Sequence, residues 1–442
     1  MHSRNRLIYS FGIACVGIAS GSHHINFRGM ILTRTARSRT SVLLDEEVLR
    51  RYQGGIWRVT SELYEALVEA RPTWNIFRVP GSSANNSDLL SRSLHLLSEN
   101  RLLGGICNRI AVAIGYTIWP QIVVPVVAAL SHSDVIVCPN FVFPMLLSRK
   151  CLVIVHDVNA LIHHSIPMHS SGGAPWSIRT IGQRSYFWII RNSVKLASRK
   201  SGGIIVPTAK VCNDLKQVLP DIRVPIFVIN WGIGETWIDK ASLQMTYSQG
   251  DLSDSKDNLF TESNTEHFVL CVNPHIYDNI QPIIQAVAIF NRNNFGHGIR
   301  LVLKVVGHLE DTRLLPAEID FLGRVSDRDL KDLYKSALAV GIATTDSGFG
   351  FPLLEALASG CPCIINAGTA EAEISSGHGV IIVSSNPKSW VEALETLISD
   401  PKQRLALSRD AVSWAAQFSW KRTGNELATA IETLRETLLI LK

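Results

Sequence analysis

Residues 345–363 read Thr-Asp-Ser-Gly-Phe-Gly-Phe-Pro-Leu-Leu-Glu-Ala-Leu-Ala-Ser-Gly-Cys-Pro-Cys. An apolar run ends near Ala343, two glycines follow at Gly348 and Gly350, and a run with helical spacing begins. Pro352 suits a first helical turn, where its missing N–H costs nothing, and Gly360 suits a helix C-terminal stop. The stretch therefore predicts strand, glycine loop, helix. Such a junction gathers backbone N–H groups and the positive end of the helix dipole at one point, which is an anion site. Glu355 falls one turn into the helix, where a carboxylate can accept both hydroxyls of a ribose diol. A tight turn followed by a solvated glutamate has the same local sequence, and a lone Gly-x-Gly does not separate the two.

On either side of this stretch the chain repeats one theme. Short, near-continuously apolar runs occur at 41–44, 135–138, 152–155, 203–206, 226–229, 268–272, 301–306, 339–343 and 363–365. Strands of that kind are covered on both faces, as in a parallel sheet. Helical spacing fills the gaps at 57–70, 280–290, 327–336 and 352–358. Alternation over this length predicts an α/β protein of two Rossmann-like, doubly wound lobes facing a cleft, with ligands outside the carboxyl ends of the strands. The polar stretch Ser242 to Glu266 reads as a loop or linker between lobes. The predicted division is an N-terminal extension at 1–40, an acceptor-side lobe at 41–225, a nucleotide-binding lobe at 226–407, and C-terminal helices at 408–442 that return to the first lobe.

Composition narrows the function class. Of 442 residues, 46% are hydrophobic and 18% charged, which excludes a disordered chain. A formal charge of +5 excludes a protein that coats nucleic acid but allows a local basic face. The eight cysteines are scattered, form no C-x-x-C and sit mostly in apolar runs, so they read as buried thiols of a reduced, cytoplasmic protein. A basic start at Met1–Arg6 followed by apolar Leu7–Ala19 has the form of a signal peptide; an N-terminal extension with a start at Met30 fits as well. Apolar residues 110–130 contain Pro120, Gln121 and Pro125 and read as a buried helix plus loop, or as a contact with a membrane surface.

Taken with its flanks, the opening stretch resembles the signature of the large group 1, or family 4, glycosyltransferases, which include many bacterial mannosyltransferases. That signature has the form E-G-F-G-x-P-x-x-E-A-x-A-x-G-x-P. Gly348, Phe349, Gly350, Pro352, Glu355, Ala356, Ala358, Gly360 and Pro362 match it. Further fragments resemble the family in the same order along the chain: 53–58, 134–141, 155–157, 204–208, 228–232, 321–323 with Ser326-Asp327, and 418–420. The resemblance implies the two-lobed GT-B fold. It also implies transfer of a sugar, mannose among the candidates, from a GDP- or UDP-sugar with retention of configuration. The implied acceptor is a polysaccharide or a lipid-linked saccharide, at the cytoplasmic face of the inner membrane. No metal and no cofactor are implied. A non-catalytic GT-B relative with a binding or regulatory role is the alternative reading.

Site residues follow from the match. Gly348, Phe349, Gly350, Phe351, Leu354, Glu355 and Asn279 are expected to bind the nucleotide-sugar. His156, Asp157 and Ser347 are expected around the reacting sugar. Gly54, Gly55 and Arg58 are expected on the acceptor side; the two glycines fit either close approach of a ligand to backbone or a plain strand-to-helix turn. Two departures stand out. Ser347 occupies the position of the motif's first acid. After the run 268–272, where the family carries an Arg-Lys-Asn group facing the donor diphosphate, this chain has Asn273 and then Tyr277-Asp278-Asn279. Asp278 would repel a diphosphate at close range, which leaves Lys304, Arg324 or backbone amides to meet that charge. His163, His164 and His169 have no metal-ligand spacing. A basic and aromatic stretch from Trp176 to Lys200 fits a solvated helix face, or contact with anionic lipid or a lipid-diphosphate.

Overall fold

The computed structural model describes residues 39–46, 54–79, 114–163, 178–238, 266–272, 280–295, 298–307 and 319–441. The residues before 39, residues 239–265 and residues 273–279, Asn279 included, lie outside the described residues, as do His164 and His169.

The first lobe runs β1 (Ser41–Asp45), α1 (Gly55–Ala70), β2 (Asn75–Val79), a wide helical segment (Ile114–Val123), α2 (Val124–Leu130), β3 (Val135–Cys138), a 3-10 helix (Met145–Lys150), β4 (Cys151–Ile154), α3 (Asn159–Ile162), α4 (Ile178–Lys200), β5 (Gly203–Val206), α5 (Ala209–Val218) and β6 (Ile226–Val228). Its sheet is parallel in the order β2-β1-β3-β4-β5-β6. The second lobe runs β7 (Glu266–Val272), α6 (Gln281–Asn293), β8 (Arg300–Val306), β9 (Ile319–Gly323), α7 (Asp327–Ser336), β10 (Ala339–Ile342), α8 (Phe351–Ala358), β11 (Cys363–Asn366), α9 (Ala370–Ser375), β12 (Val380–Val383), α10 (Pro387–Ser399), α11 (Pro401–Ala415) and α12 (Trp420–Ile440). Its sheet is also parallel, in the order β12-β11-β10-β7-β8-β9.

The α/β, doubly wound expectation holds for both lobes, and the reason is visible in burial. Strands β3, β4, β5, β10 and β11 are buried at every position, because helices cover both faces of each sheet. Helix starts are set locally. The Ser326 hydroxyl accepts from the Asp329 amide at 3.2 Å, and Asp327 and Asp329 complement the dipole of α7. At α8, Gly350 takes φ +86°, a conformation that disfavours any side chain, and Pro352 lies in the first turn. Gly360, at φ +75°, follows the end of that helix.

Two boundaries need correction. Ile226–Val228 pair with Ile204–Val206, so β6 closes the edge of the first sheet and the 225/226 division cuts that lobe. A division at 407/408 falls inside α11. Helix α12 lies against α1 of the first lobe and buries Leu427, Ala428, Ile431 and Leu434 in a core shared with Leu63 and Leu67. Each such large side chain contributes roughly 1.5–3 kcal/mol when removed from water. Residues 114–130 are helical rather than helix plus loop, and Ile122, Val126 and Leu130 on them are each more than half exposed. Among the described residues no helix is long and apolar enough to cross a membrane. The six described cysteines are all free and buried.

Candidate active site at the lobe interface

Renumbered within the second lobe, the sheet order is 3-2-1-4-5-6, and the progression reverses between β7 and β10. In open α/β sheets such a reversal, at the carboxyl ends of the strands, is where ligands bind. The loop after β10 carries Asp346, Ser347, Gly348, Phe349 and Gly350 into the start of α8. Pro352 has no amide hydrogen, and Leu353 and Leu354 both donate to the Gly350 carbonyl, at 3.1 and 3.3 Å. The amides of Gly350 and Phe351 are those the helix start does not use for itself. Leu354, carried by the motif, is fully buried in the core beneath α8, and Phe349 is 5% exposed.

Glu355 stands at the centre of the arrangement and is only 4% exposed. Its Oε1 accepts from Arg58 Nη1, which reaches across from α1 of the first lobe. Its Oε2 accepts from the Tyr334 hydroxyl at 3.0 Å. Burial pushes the Glu355 carboxyl up from its ordinary pKa, and Arg58 first, then Tyr334, oppose that shift by favouring the charged form. Burial, reinforced by the Glu355 charge, also holds the Tyr334 phenol well above its usual range. The Arg58 guanidinium lies 5.1 Å from the Phe351 ring centre and 5.9 Å from that of Trp237, so aromatic faces flank the cation.

Ser347, at the position of the motif's first acid, donates its hydroxyl to Oε1 of Glu371, near the start of α9. Glu371 is 1% exposed, and among the described residues its Oε2 has no hydrogen-bond partner. A Cβ at Gly350 would come within 2.8 Å of Glu371 Cγ, so the glycine is required there by space as well as by φ.

His156 and Asp157 close the site from the first lobe, at the end of β4. The His156 ring is buried between Phe141 and Trp231, with centroids at 5.6 and 5.9 Å, and its Nε2 lies 2.7 Å from the Pro139 carbonyl oxygen. Burial lowers its pKa to about 4. Asp157 accepts from the Asn159 amide at 2.9 Å; burial raises its pKa to about 6, with Asp346 across the interface adding repulsion. His163 Nε2 lies 3.8 Å from Asp346 Oδ2. The two lobes also meet at Thr208, whose hydroxyl donates to the Gly348 carbonyl at 3.1 Å, and at Glu373, which accepts from the amides of Ala209 and Lys210 at the start of α5.

The structure thus brings together His156, Asp157, Ser347, Gly348, Gly350, Phe351, Glu355 and Arg58, and a Cβ at Gly55 would touch Phe351 at 3.5 Å. A Cβ at Gly54 would meet nothing within 4 Å. Lys304 stacks its ammonium 4.3 Å from the Phe268 ring. Among the described residues no group of three metal-ligating side chains occurs. Sequence reading did not single out Tyr334, Trp237, Thr208, Glu371 or Glu373. Glu371 and Glu373, next to a Thr369 cap, were legible as acids at a helix start, but nothing local shows that they face the glycine loop or the other lobe.

Comparison with known proteins agrees with the two-lobed fold. Residues 257–414 match the family described as Glycosyl transferases group 1. The D-inositol 3-phosphate glycosyltransferase of Corynebacterium urealyticum is 30% identical over 118 residues, which is 26% of this chain and 28% of that protein. The protein of the same name from Corynebacterium glutamicum is 30% identical over 124 residues, 28% of this chain and 30% of its own length. The match therefore spans under a third of those relatives. In three dimensions, sucrose-phosphate synthase from Thermosynechococcus elongatus aligns with a TM-score of 0.57 at 13% identity, covering 91% of this chain and all of that one. WaaG, a glycosyltransferase involved in lipopolysaccharide biosynthesis, aligns with a TM-score of 0.52 at 14% identity over 88% of this chain and 99% of its own.

Proposed function

We propose that the chain transfers a sugar from a nucleotide-diphosphate sugar to a saccharide or lipid-linked acceptor, with retention of configuration; the match of residues 257–414 to the group 1 glycosyl transferases and the GT-B fold support this reading. The donor is a GDP- or UDP-sugar, mannosyl donors included. The observation that carries this reading is the place of Glu355. A buried carboxylate stands one turn behind a glycine loop, at the reversal of a 3-2-1-4-5-6 sheet, under the facing lobe.

In this reading Glu355 accepts the ribose diol, and the amides of Gly350 and Phe351 stabilise negative charge as the nucleoside diphosphate leaves. His156 is held neutral by burial, and with its Nε2–H donated to the Pro139 carbonyl only the unprotonated Nδ1 is left to accept from sugar or acceptor. The first lobe's Gly54-Gly55 turn and the His156 strand end line the acceptor side. Gly348 lies close against the His156 carbonyl, and in this reading the contact helps to keep water from the reacting bond.

A second reading, binding without transfer, is favoured by Ser347, whose hydroxyl is committed to Glu371. One experiment separates the two. Melting temperature is measured against UDP, GDP and their sugars, and transfer or donor hydrolysis is then followed for whichever ligand stabilises the protein. Stabilisation with turnover supports the transferase; stabilisation without turnover supports the second reading. If no nucleotide stabilises the protein, or if Glu355→Ala leaves calorimetric affinity unchanged, the donor site is wrong.

A further inference from the structure

The glycine loop offers amides to a diphosphate, yet among the described residues the one side-chain cation paired with its helix is Arg58, which belongs to the opposite lobe. In the structure that cation is spent on Glu355. Only Nη1 of the guanidinium has a hydrogen-bond partner among the described residues. The side chain is 28% exposed, against 6% for the side chain of Glu355. A guanidinium has five donors arranged for planar oxyanions, so a single contact leaves most of its capacity unused. Each Glu355 oxygen has one partner, Arg58 on Oε1 and Tyr334 on Oε2, and the side chain is only 6% exposed. With the guanidinium over Oε1, burial rather than a lack of lone pairs closes that oxygen to a ribose hydroxyl.

We infer that Arg58 is the phosphate-binding cation of the donor site and that a nucleoside diphosphate engages it by exchange. The ribose hydroxyls of the ligand replace the guanidinium on Glu355 Oε1, and the released guanidinium takes the diphosphate in place of the carboxylate. The carboxylate then has hydroxyl donors in place of the guanidinium and the guanidinium has the diphosphate, so neither group is left without a hydrogen-bond partner. Tyr334 keeps Oε2 throughout and holds the carboxylate in place. Phe351, 5.1 Å from the guanidinium, gives the cation a face to turn on without entering bulk water. The inference rests on the donor site proposed above, and it follows that the site is double-keyed. A ligand with only the diol must displace Arg58 and leave it without an anion. A ligand with only the diphosphate removes Arg58 and leaves a buried carboxylate without its counter-ion.

The test is calorimetric, on the full chain, with uridine, guanosine, UDP and GDP as probes against wild type, Arg58→Ala, Arg58→Gln and Arg58→Lys. Exchange predicts effects of opposite sign. In Arg58→Ala and Arg58→Gln the diphosphate that binds wild type should weaken at least tenfold, while its parent nucleoside should gain several-fold, because its competitor for Glu355 is gone. Arg58→Lys should keep diphosphate affinity within a few-fold. A cation that merely ties the lobes together predicts that nucleoside and diphosphate weaken in parallel, and that result overturns the inference. Unchanged diphosphate affinity in Arg58→Ala overturns it too. Should wild type bind neither UDP nor GDP, the donor site itself fails and the exchange with it. Retention of the wild-type unfolding transition in Arg58→Gln guards against misreading a misfolded variant.

Discussion

The carbonyl oxygen of His156 occupies the space that a side chain at Gly348 would need: a Cβ there would lie 1.8 Å from it. Gly348 is not in a positive-φ conformation, so the requirement is one of clearance between lobes rather than of backbone freedom. Thr208 fixes the same contact by donating to the Gly348 carbonyl at 3.1 Å. Gly348→Ala should therefore push the glycine loop away from the strand end that carries His156. Both lobes keep their own cores, so the thermal transition should move little. Donor turnover should fall at least about tenfold, equivalent to about 1.4 kcal/mol of transition-state stabilisation, and the radius of gyration in solution scattering should rise. Wild-type turnover in Gly348→Ala would show that the lobes need not meet here.

Restoring the motif's first acid should not by itself improve the site. Ser347→Glu would set a second carboxylate against Glu371, which is 1% exposed and already contacts position 347. Two carboxylates at such distance cannot both ionise without penalty. The pair's pKa in the folded state would lie above its unfolded value. Stability would then be intact at acid pH and lost as pH rises through the folded pKa. Denaturant midpoints at pH 5 and pH 7.5 should show the variant weakening on the alkaline side by roughly 1–3 kcal/mol. Ser347→Gln, neutral and of similar size, should show no such slope. Any gain of activity from Ser347→Glu should require Glu371→Gln in the same chain.

How much of this was legible in the sequence depends on range. The glycine loop, Pro352 and Gly360 announced α8 through local backbone requirements, and the buried central strands announced themselves as apolar runs. Strands β2, β9 and β12 were not read, and all three lie at sheet edges, where one neighbour is missing and the burial pattern is broken by exposed positions. Strand β6 was seen as an apolar run but placed in the wrong lobe, since nothing in three residues says which sheet they join. Glu355 was picked out from its spacing to Gly350. Its partners were not, because Arg58 is 297 residues away in sequence and Tyr334 lies on a neighbouring helix. A side chain's role in a cleft is set by what the other lobe presents, and local pattern carries no record of that.

His156 and Asp157, adjacent in sequence, impose opposite pH dependences. Burial lowers the histidine to about 4, so the folded state binds fewer protons than the unfolded chain between about 4 and the ordinary histidine value near 6.5. Over that window its contribution is lost as pH falls. Asp157 is raised to about 6, so between its ordinary value near 3.9 and about 6 the folded state binds more protons, and its contribution is lost as pH rises. The two slopes oppose each other over nearly the same range. Wild-type stability should therefore be nearly flat in these two groups from pH 4 to 6.5. Asp157→Asn should expose the histidine slope, becoming less stable than wild type towards pH 4 relative to pH 6.5, and His156→Gln should show the reverse. Parallel curves for wild type and both variants, in urea titrations across the range, would contradict the shifts.

The last helix decides whether the two lobes act as one body. Helix α12 continues from the second lobe and lies on α1, and the approach is so close that a Cβ at Gly424 would be 2.2 Å from the Ala66 carbonyl oxygen. The crossing is held at its start as well: Thr423 donates to the Asn230 carbonyl at 2.8 Å, and a Cβ at Gly232 would be 2.2 Å from the Trp420 amide nitrogen. The backbones themselves are in contact, so no rotamer change can make room for a methyl group. Gly424→Ala must lift α12 from α1 and uncover part of the face formed by Leu427, Ala428, Ile431 and Leu434. Overpacking of this kind typically costs about 1–3 kcal/mol. Thr429→Ala, on the exposed side of the same helix, should stay within about 0.5 kcal/mol of wild type. Because α1 also carries Arg58, the Gly424 variant should weaken nucleotide affinity as well as stability, although position 424 touches no part of the proposed donor site. Thermal unfolding and calorimetric titration on the two variants test both halves. A Gly424→Ala protein as stable as Thr429→Ala would mean that α12 can shift along α1 without loss.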